Sequence, residues 1–239
     1  MTPLSIFIGY DPREHAAYQV ACNSIIRRAS APVLITPLYL HHLKRTFTRP
    51  VERRDGQLWC PVSNAPMSTE FAISRFCIPF IQLEGWALYA DCDVICLDDI
   101  AKLFEYADDR YAVMVVKHNY DPAELVKMDN QTQTAYPRKL WSSVVLWNCS
   151  HIGNRRLTRD RVERWPGRDL HAFRWLGDEE IGELPKEWNH LVGIDEGSAK
   201  LLHYTLGTPD MTGTSGPYSE VWLKEGSAIY EQHQVSTAV

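Results

Sequence analysis

The chain has 239 residues, 45% of them hydrophobic and 23% charged, with a net charge of -5. That length suits one α/β domain or two small ones, and the composition is that of an ordinary globular protein. The acidic balance argues against a general nucleic-acid binder, and no apolar run approaches the roughly 20 residues of a membrane-spanning helix.

Leu4 to Gly9 (LSIFIG) reads as a first strand, with no basic leader before it and Asp11 soon after, so it is not a signal peptide. Asp11, Pro12 and Glu14 suit the N-cap, first and third positions of a helix running to about Ala29, which makes a capping box. Neither Gly-x-Gly-x-x-Gly nor a P-loop follows this strand. Val33 to Leu40 is a second strand, which Pro37 assigns to a sheet edge or a bend. His41 to Met67 reads as a long irregular, basic segment. Such loops are often functional, and a solvated charged excursion fits equally. Ser68 should cap a helix that carries Arg75, is kinked by Pro79 and is stopped by Gly85.

Trp86 to Ala90 is a short apolar run without alternation, which suits a strand buried on both faces. It ends in Asp91-Cys92-Asp93. Two carboxylates one residue apart at the mouth of a buried strand repel unless something neutralises them. A hard divalent cation shared with phosphate does this, at the end of a strand where open α/β sheets hold ligands. The same tripeptide also fits a polar turn facing water. The six cysteines (22, 60, 77, 92, 96, 149) form no Cys-x-x-Cys pair and read as buried free thiols in a reducing compartment.

Asp98 or Asp99 can cap a short helix over residues 100–106, and Tyr111 to Val116 is another buried strand. His118 to Trp141 is polar and reads as a mobile loop beside a cleft. Val144 to Trp147 is a strand entered by Ser142-Ser143. Arg155 to Trp175 should hold one or two amphipathic helices. Asp178-Glu179-Glu180 follows, then Trp188-Asn189, and a last strand, Ala199 to Tyr204, contains His203. From Gly207 the chain is rich in Gly, Thr, Ser and Pro and is expected to be flexible until Tyr218 to Leu223.

The order Gly-Tyr-Asp after a first strand, a helix with Arg75, Tyr-Ala-Asp-Cys-Asp-Val, Ser-Ser-Val-Val-Leu-Trp-Asn, Asp-Glu-Glu-Ile and a late His-Tyr-Thr-Leu-Gly resembles the nucleotide-sugar glycosyltransferases of the GT-A fold. The resemblance is to the family 8 retaining enzymes in particular, and covers roughly residues 6 to 209. It implies a single Rossmann-like α/β domain over residues 1–239, with a central mixed sheet flanked by helices. It further implies Asp91, Asp93 and His203 as ligands of a divalent metal, Mn2+ or Mg2+, that bridges the donor diphosphate, with Cys92 between them. Gly9, Tyr10 and Asp11 would line the base, Arg75 would contact the donor, and Ser142 and Ser143 would approach its sugar. Asp178 and Glu179 would stand beneath the sugar, supporting transfer with retention. Gly207 begins the segment where such enzymes carry Gly-x-Lys-Pro. Here it reads Gly207-Thr208-Pro209, so the phosphate-contacting lysine is missing; either a basic side chain from the long loops replaces it or donor binding is weaker and the enzyme unusual.

The implied activity is sugar transfer from a nucleotide-sugar donor, a UDP-sugar, to a saccharide, lipid-linked or protein acceptor. The enzyme is expected to be cytoplasmic, free or peripheral to a membrane. Two alternatives share parts of the pattern. A haloacid-dehalogenase-like phosphatase also ends a hydrophobic strand in Asp-x-Asp, although there the motif normally opens the fold. A non-catalytic nucleotide-sugar-binding protein would keep the fold without the lysine.

Overall fold

The computed structural model describes residues 2–43, 47–119, 138–212 and 216–236. Its strands are β1 (Leu4–Tyr10), β2 (Val33–Tyr39), β3 (Glu52–Arg54), β4 (Gln57–Cys60), β5 (Ala65–Met67), β6 (Trp86–Ala90), β7 (Val94–Cys96), β8 (Val113–Val115), β9 (Val144–Asn148), β10 (Ile181–Glu183), β11 (His190–Leu191) and β12 (Leu201–His203). Its helices are α1 (His15–Arg28), α2 (Leu40–Leu43), α3 (Ile78–Ile81), α4 (Ala101–Phe104), α5 (Arg159–Arg164), α6 (Gly167–His171), α7 (Pro209–Thr212) and α8 (Ser219–Ser236).

The central sheet is mixed, in the order β10-β8-β9-β6-β1-β2. β6 lies between β1, its parallel neighbour, and the antiparallel β9. Its uniformly apolar sequence follows from this position, because both of its faces are covered. Ile6, Ile8, Leu88, Ala90 and Leu146 point to one face and pack with Ala17, Val20, Ala21 and Ile25 of α1. Phe7, Ala87, Tyr89, Val145 and Trp147 point to the other, against Phe76, Leu170, Phe173 and Trp175. The two cores are thus the two sides of one sheet. β2 is the edge strand of this order, where Pro37's missing N–H costs no ladder bond.

Several expectations change. Asp11 does cap the first turn, accepting from the Arg13 N–H, but Glu14 does not complete a capping box, because its carboxylate turns inward to Cys92. The segment 41–67 is not an irregular excursion. It begins in α2 and forms the antiparallel meander β3-β4-β5. Arg49 anchors this meander: its guanidinium donates to the Val162 and Trp165 carbonyls and to Ser63 Oγ. The helix expected from Ser68 shrinks to a 3-10 turn (Ser74–Cys77) running into α3. Within the stretch expected to be flexible after Gly207, Pro209–Thr212 forms α7, and from Ser219 the chain continues as α8, which packs Trp222 into the core and buries Glu225 between Arg27 and Arg28 of α1. Most of the loop expected between His118 and Trp141, residues 120–137, lies outside the described residues. The six cysteines are free, and among the described residues no helix is long and apolar enough to cross a membrane.

Candidate functional site

β6 delivers Asp91 to the carboxyl edge of the sheet, where its N–H still bonds to the Ser143 carbonyl at 2.9 Å. The chain then turns a corner at buried Cys92 and leaves as β7, which pairs antiparallel with β12. In that register His203 stands opposite Val94, and the Tyr204 N–H donates to the Asp93 carbonyl at 2.9 Å. Two sheets meeting at one tripeptide therefore bring together residues more than a hundred positions apart. A ligand atom from each of Asp91, Asp93 and His203 lies within 4.8 Å of the others. His203 Nε2 is 3.4 Å from Asp93 Oδ1. One ion with ligand distances of about 2.0–2.6 Å reaches across such a set, so these two carboxylates and the imidazole fit a divalent cation.

The surroundings hold this cluster in place. Arg75, only 6% exposed, places Nη2 2.9 Å from Asp91 Oδ1 and donates from Nη1 to the Ser142 carbonyl at 2.8 Å. The Tyr89 hydroxyl donates to the same Asp91 oxygen at 2.5 Å. Burial pushes Asp91's pKa up; Arg75's charge opposes that, and Asp93's charge adds to it. On the other side, the Cys92 thiol donates to Glu14 Oε2 at 2.9 Å. Burial, helped by the charge of Asp93, raises the Glu14 carboxyl to about 7. Ser142 Oγ is 2.7 Å from His171 Nδ1, and burial followed by the charge of Arg75 pushes that imidazole well below its usual pKa.

Glu14, Arg75, Asp91, Asp93, Ser142, His171 and His203 line one cavity of about 800 Å3, while Tyr89 and the expected Cys92 lie behind its wall and do not line it. Of the residues expected at the site, Arg75, Asp91, Asp93, Ser142, Ser143, His203 and Gly207 line it. Gly207 is there with φ +120, a conformation that favours glycine, and its N–H closes a turn onto the Tyr204 carbonyl at 2.8 Å. Gly9, Tyr10 and Asp11 do not line it. A Cβ on Gly9 would sit 2.5 Å from the Phe71 ring, which covers that position. Tyr10 packs edge-on against Tyr18 and Tyr39, and buried Asp11 is spent on Arg13 and the Glu70 N–H. Glu14 and Ala17 form the cavity wall on that side instead.

Asp178 and Glu179 are also absent from the lining. β10 runs parallel to β8, and both oppose β9, as β6 does. The acidic triplet precedes β10 and so sits at the end of the sheet opposite Asp91. There Asp178 is 89% exposed and pairs with Arg138, while Glu180 pairs with Arg156 and caps the Gly177 N–H. The structure therefore does not bring the expected catalytic pair to the cavity.

Sequence reasoning named neither Arg168 nor His171, and it placed Lys139 and the segment Ser63 to Thr69 only within longer loops read as beside a cleft or as often functional; all of them line the cavity. For the meander that carries this segment a signal existed: Asp55-Gly56, both with positive φ, is the two-residue hairpin sequence that joins β3 to β4.

No family model matches the chain. Protein CDI of Arabidopsis thaliana is 44% identical over 232 residues, covering 93% of this chain and 86% of that protein. Among solved structures, the glycosyltransferase GlyE of Streptococcus pneumoniae superposes with a TM-score of 0.61 at 15% identity over 99% of this chain. The galactosyltransferase LgtC, solved in complex with donor and acceptor sugar analogues, gives 0.60 at 13% identity over 94% of this chain and 96% of its own. The bifunctional glycosyltransferase WbbM gives 0.57. This chain spans 64% of the GlyE chain and 52% of the WbbM chain. The fold is thus the GT-A fold of nucleotide-sugar glycosyltransferases, as expected from the sequence, and by the extent of its identity the chain belongs to the family of Protein CDI.

Proposed function

We propose that this chain is a glycosyltransferase, a single domain over residues 1–239, that moves a sugar from a nucleotide-sugar donor, a UDP-sugar, to a saccharide, lipid-linked or protein acceptor. The observation that carries this reading is the convergence of Asp91, Asp93 and His203 in the wall of an 800 Å3 cavity at the carboxyl ends of the central strands. LgtC, whose structure holds donor and acceptor sugar analogues, shares that fold along nearly the whole chain.

The three residues would hold a divalent cation, Mn2+ or Mg2+, which when bound supplies Lewis acidity to the departing diphosphate. Arg75 opposes the burial that disfavours Asp91's charge and holds the Ser142 carbonyl, so that the Ser142-Ser143 turn faces the donor sugar. Lys139 and Arg168 line the same cavity and take the part of the lysine that Gly207-Thr208-Pro209 lacks. The hydroxyl- and amide-bearing residues flanking β5, Ser63, Asn64, Ser68 and Thr69, form the wall that receives the acceptor. Retention at the anomeric carbon stays in the proposal on the family 8 resemblance alone, because Glu179 lies at the far end of the sheet. NMR of the product's anomeric configuration tests it.

A panel of nucleotide sugars incubated with the protein tests the whole reading. UDP release should require Mn2+ or Mg2+, vanish with EDTA and be lost in Asp93→Ala. Release that persists in EDTA, or no release from any donor, would reject it.

A further inference from the structure

Trp188-Asn189 stands out in the sequence, yet nothing in the proposed reaction uses it. Asn189 is fully buried at the end of a 3-10 turn, Lys186–Asn189, that leads into β11. Its side chain bridges two parts of the site. Nδ2 donates to Ser143 Oγ at 3.0 Å, and Oδ1 lies 2.9 Å from His203 Nδ1.

The direction of this chain of hydrogen bonds follows from its far end. Ser143 Oγ donates to the Leu140 carbonyl at 2.7 Å, and a carbonyl can only accept. A hydroxyl has one hydrogen, so toward Asn189 the same oxygen must accept. The Asn189 amide therefore faces it with Nδ2 and presents Oδ1 to His203. An amide oxygen can only accept, so His203 Nδ1 carries a proton. In the neutral ring the lone pair is then on Nε2, which faces Asp93 Oδ1 at 3.4 Å. Nε2 and Asp93 Oδ1 are then two acceptors side by side, an arrangement that a shared metal ion, or a second proton on the ring, reconciles.

We infer that Asn189 is a positioning residue. It fixes the His203 tautomer and ring plane so that Nε2 is the metal-binding nitrogen, and it ties that ligand to the Ser142-Ser143 turn. The inference deepens the proposed function and rests on it for the identity of the ion. Groups that hold the second nitrogen of a metal-binding histidine commonly change metal affinity by about 10–100-fold when removed.

The test has two arms. In metal-free protein, long-range 1H–15N NMR should show His203 with its proton on Nδ1. Mn2+ titration followed by EPR of the free ion should show affinity about tenfold or more weaker in Asn189→Ala. In Asn189→Asp a carboxylate still accepts from Nδ1, so affinity should stay within about threefold of wild type. A folded Asn189→Ala with wild-type affinity, or a wild-type ring protonated on Nε2 alone, would overturn the inference. Should Asn189→Ala not fold, Asn189→Asp decides, since a loss as large as that of His203→Ala would also overturn it. Absence of Mn2+ binding in wild type would contradict the proposed function, and the metal-free NMR arm would still support or overturn the role of Asn189.

Discussion

Asp91 gives one carboxylate oxygen to both Arg75 and Tyr89, at 2.9 and 2.5 Å, and this sets the charge balance of the site. The Arg75 guanidinium also lies over the Tyr89 and Phe71 rings, so it is packed as well as paired. Removing one partner of a buried ion pair strands the other charge. Arg75→Met should therefore lower unfolding stability by about 3 kcal/mol in urea titrations, far more than loss of an exposed pair. Glu14 makes a different prediction. Its folded pKa of about 7 stands above the usual 4.5, because burial and Asp93 disfavour its charge. Between those values the folded state binds more protons than the unfolded one, so stability falls as pH rises through the window. Without metal, Glu14→Gln should be more stable than wild type by on the order of 2 kcal/mol near pH 8, and the gain should vanish near pH 4, read by urea unfolding at both. Asp91, Asp93 and His203 were legible in the sequence because two of them form a compact motif and the third closes a recognisable pattern. Glu14 and Asn189 were not, since what makes them matter is a partner: Cys92 is 78 positions from Glu14, and Ser143 is 46 from Asn189.

At the scale of elements, unbroken apolar runs announced β1, β6 and β9, because strands covered on both faces need no polar side. The C-terminal helix α8 was harder. The Gly-, Thr-, Ser- and Pro-rich stretch before it masks its start, and its inward face mixes Trp222 with a charged residue, Glu225. That charge is tolerable because Arg27 and Arg28 meet both of its oxygens, at 3.2 and 2.5 Å. Trp222 meets Tyr204 edge-on at 5.3 Å, one residue past His203. Trp222→Ala should cost about 3–5 kcal/mol, whereas its exposed neighbour Leu223→Ala should stay within about 0.5 kcal/mol, as read by denaturant midpoints. Equal, small effects would return this segment to the status of a tail. The meander β3-β5 was marked only by its Asp55-Gly56 turn, because β3 is Glu-Arg-Arg and exposed along its length, so no apolar periodicity marks it.

Across the whole molecule, the corner at Cys92 joins the central sheet to the small sheet β11-β12-β7, and the cavity opens where they meet. Order along the chain predicted the mixed α/β architecture and the placement of Asp91 at the carboxyl end of a central strand. The far end of the sheet was beyond it, because the position of Asp178 and Glu179 depends on β10 being parallel to β8, a pairing with no sequence mark. The proposed function requires the Asp91, Asp93 and His203 cluster to bind a nucleoside diphosphate through a divalent ion. Isothermal titration of UDP into the protein, with Mn2+ or with EDTA and in wild type or Asp93→Ala, tests it most directly. Binding should appear in wild type with Mn2+ and disappear with EDTA and in Asp93→Ala; binding indifferent to both, or absent throughout, would contradict the account.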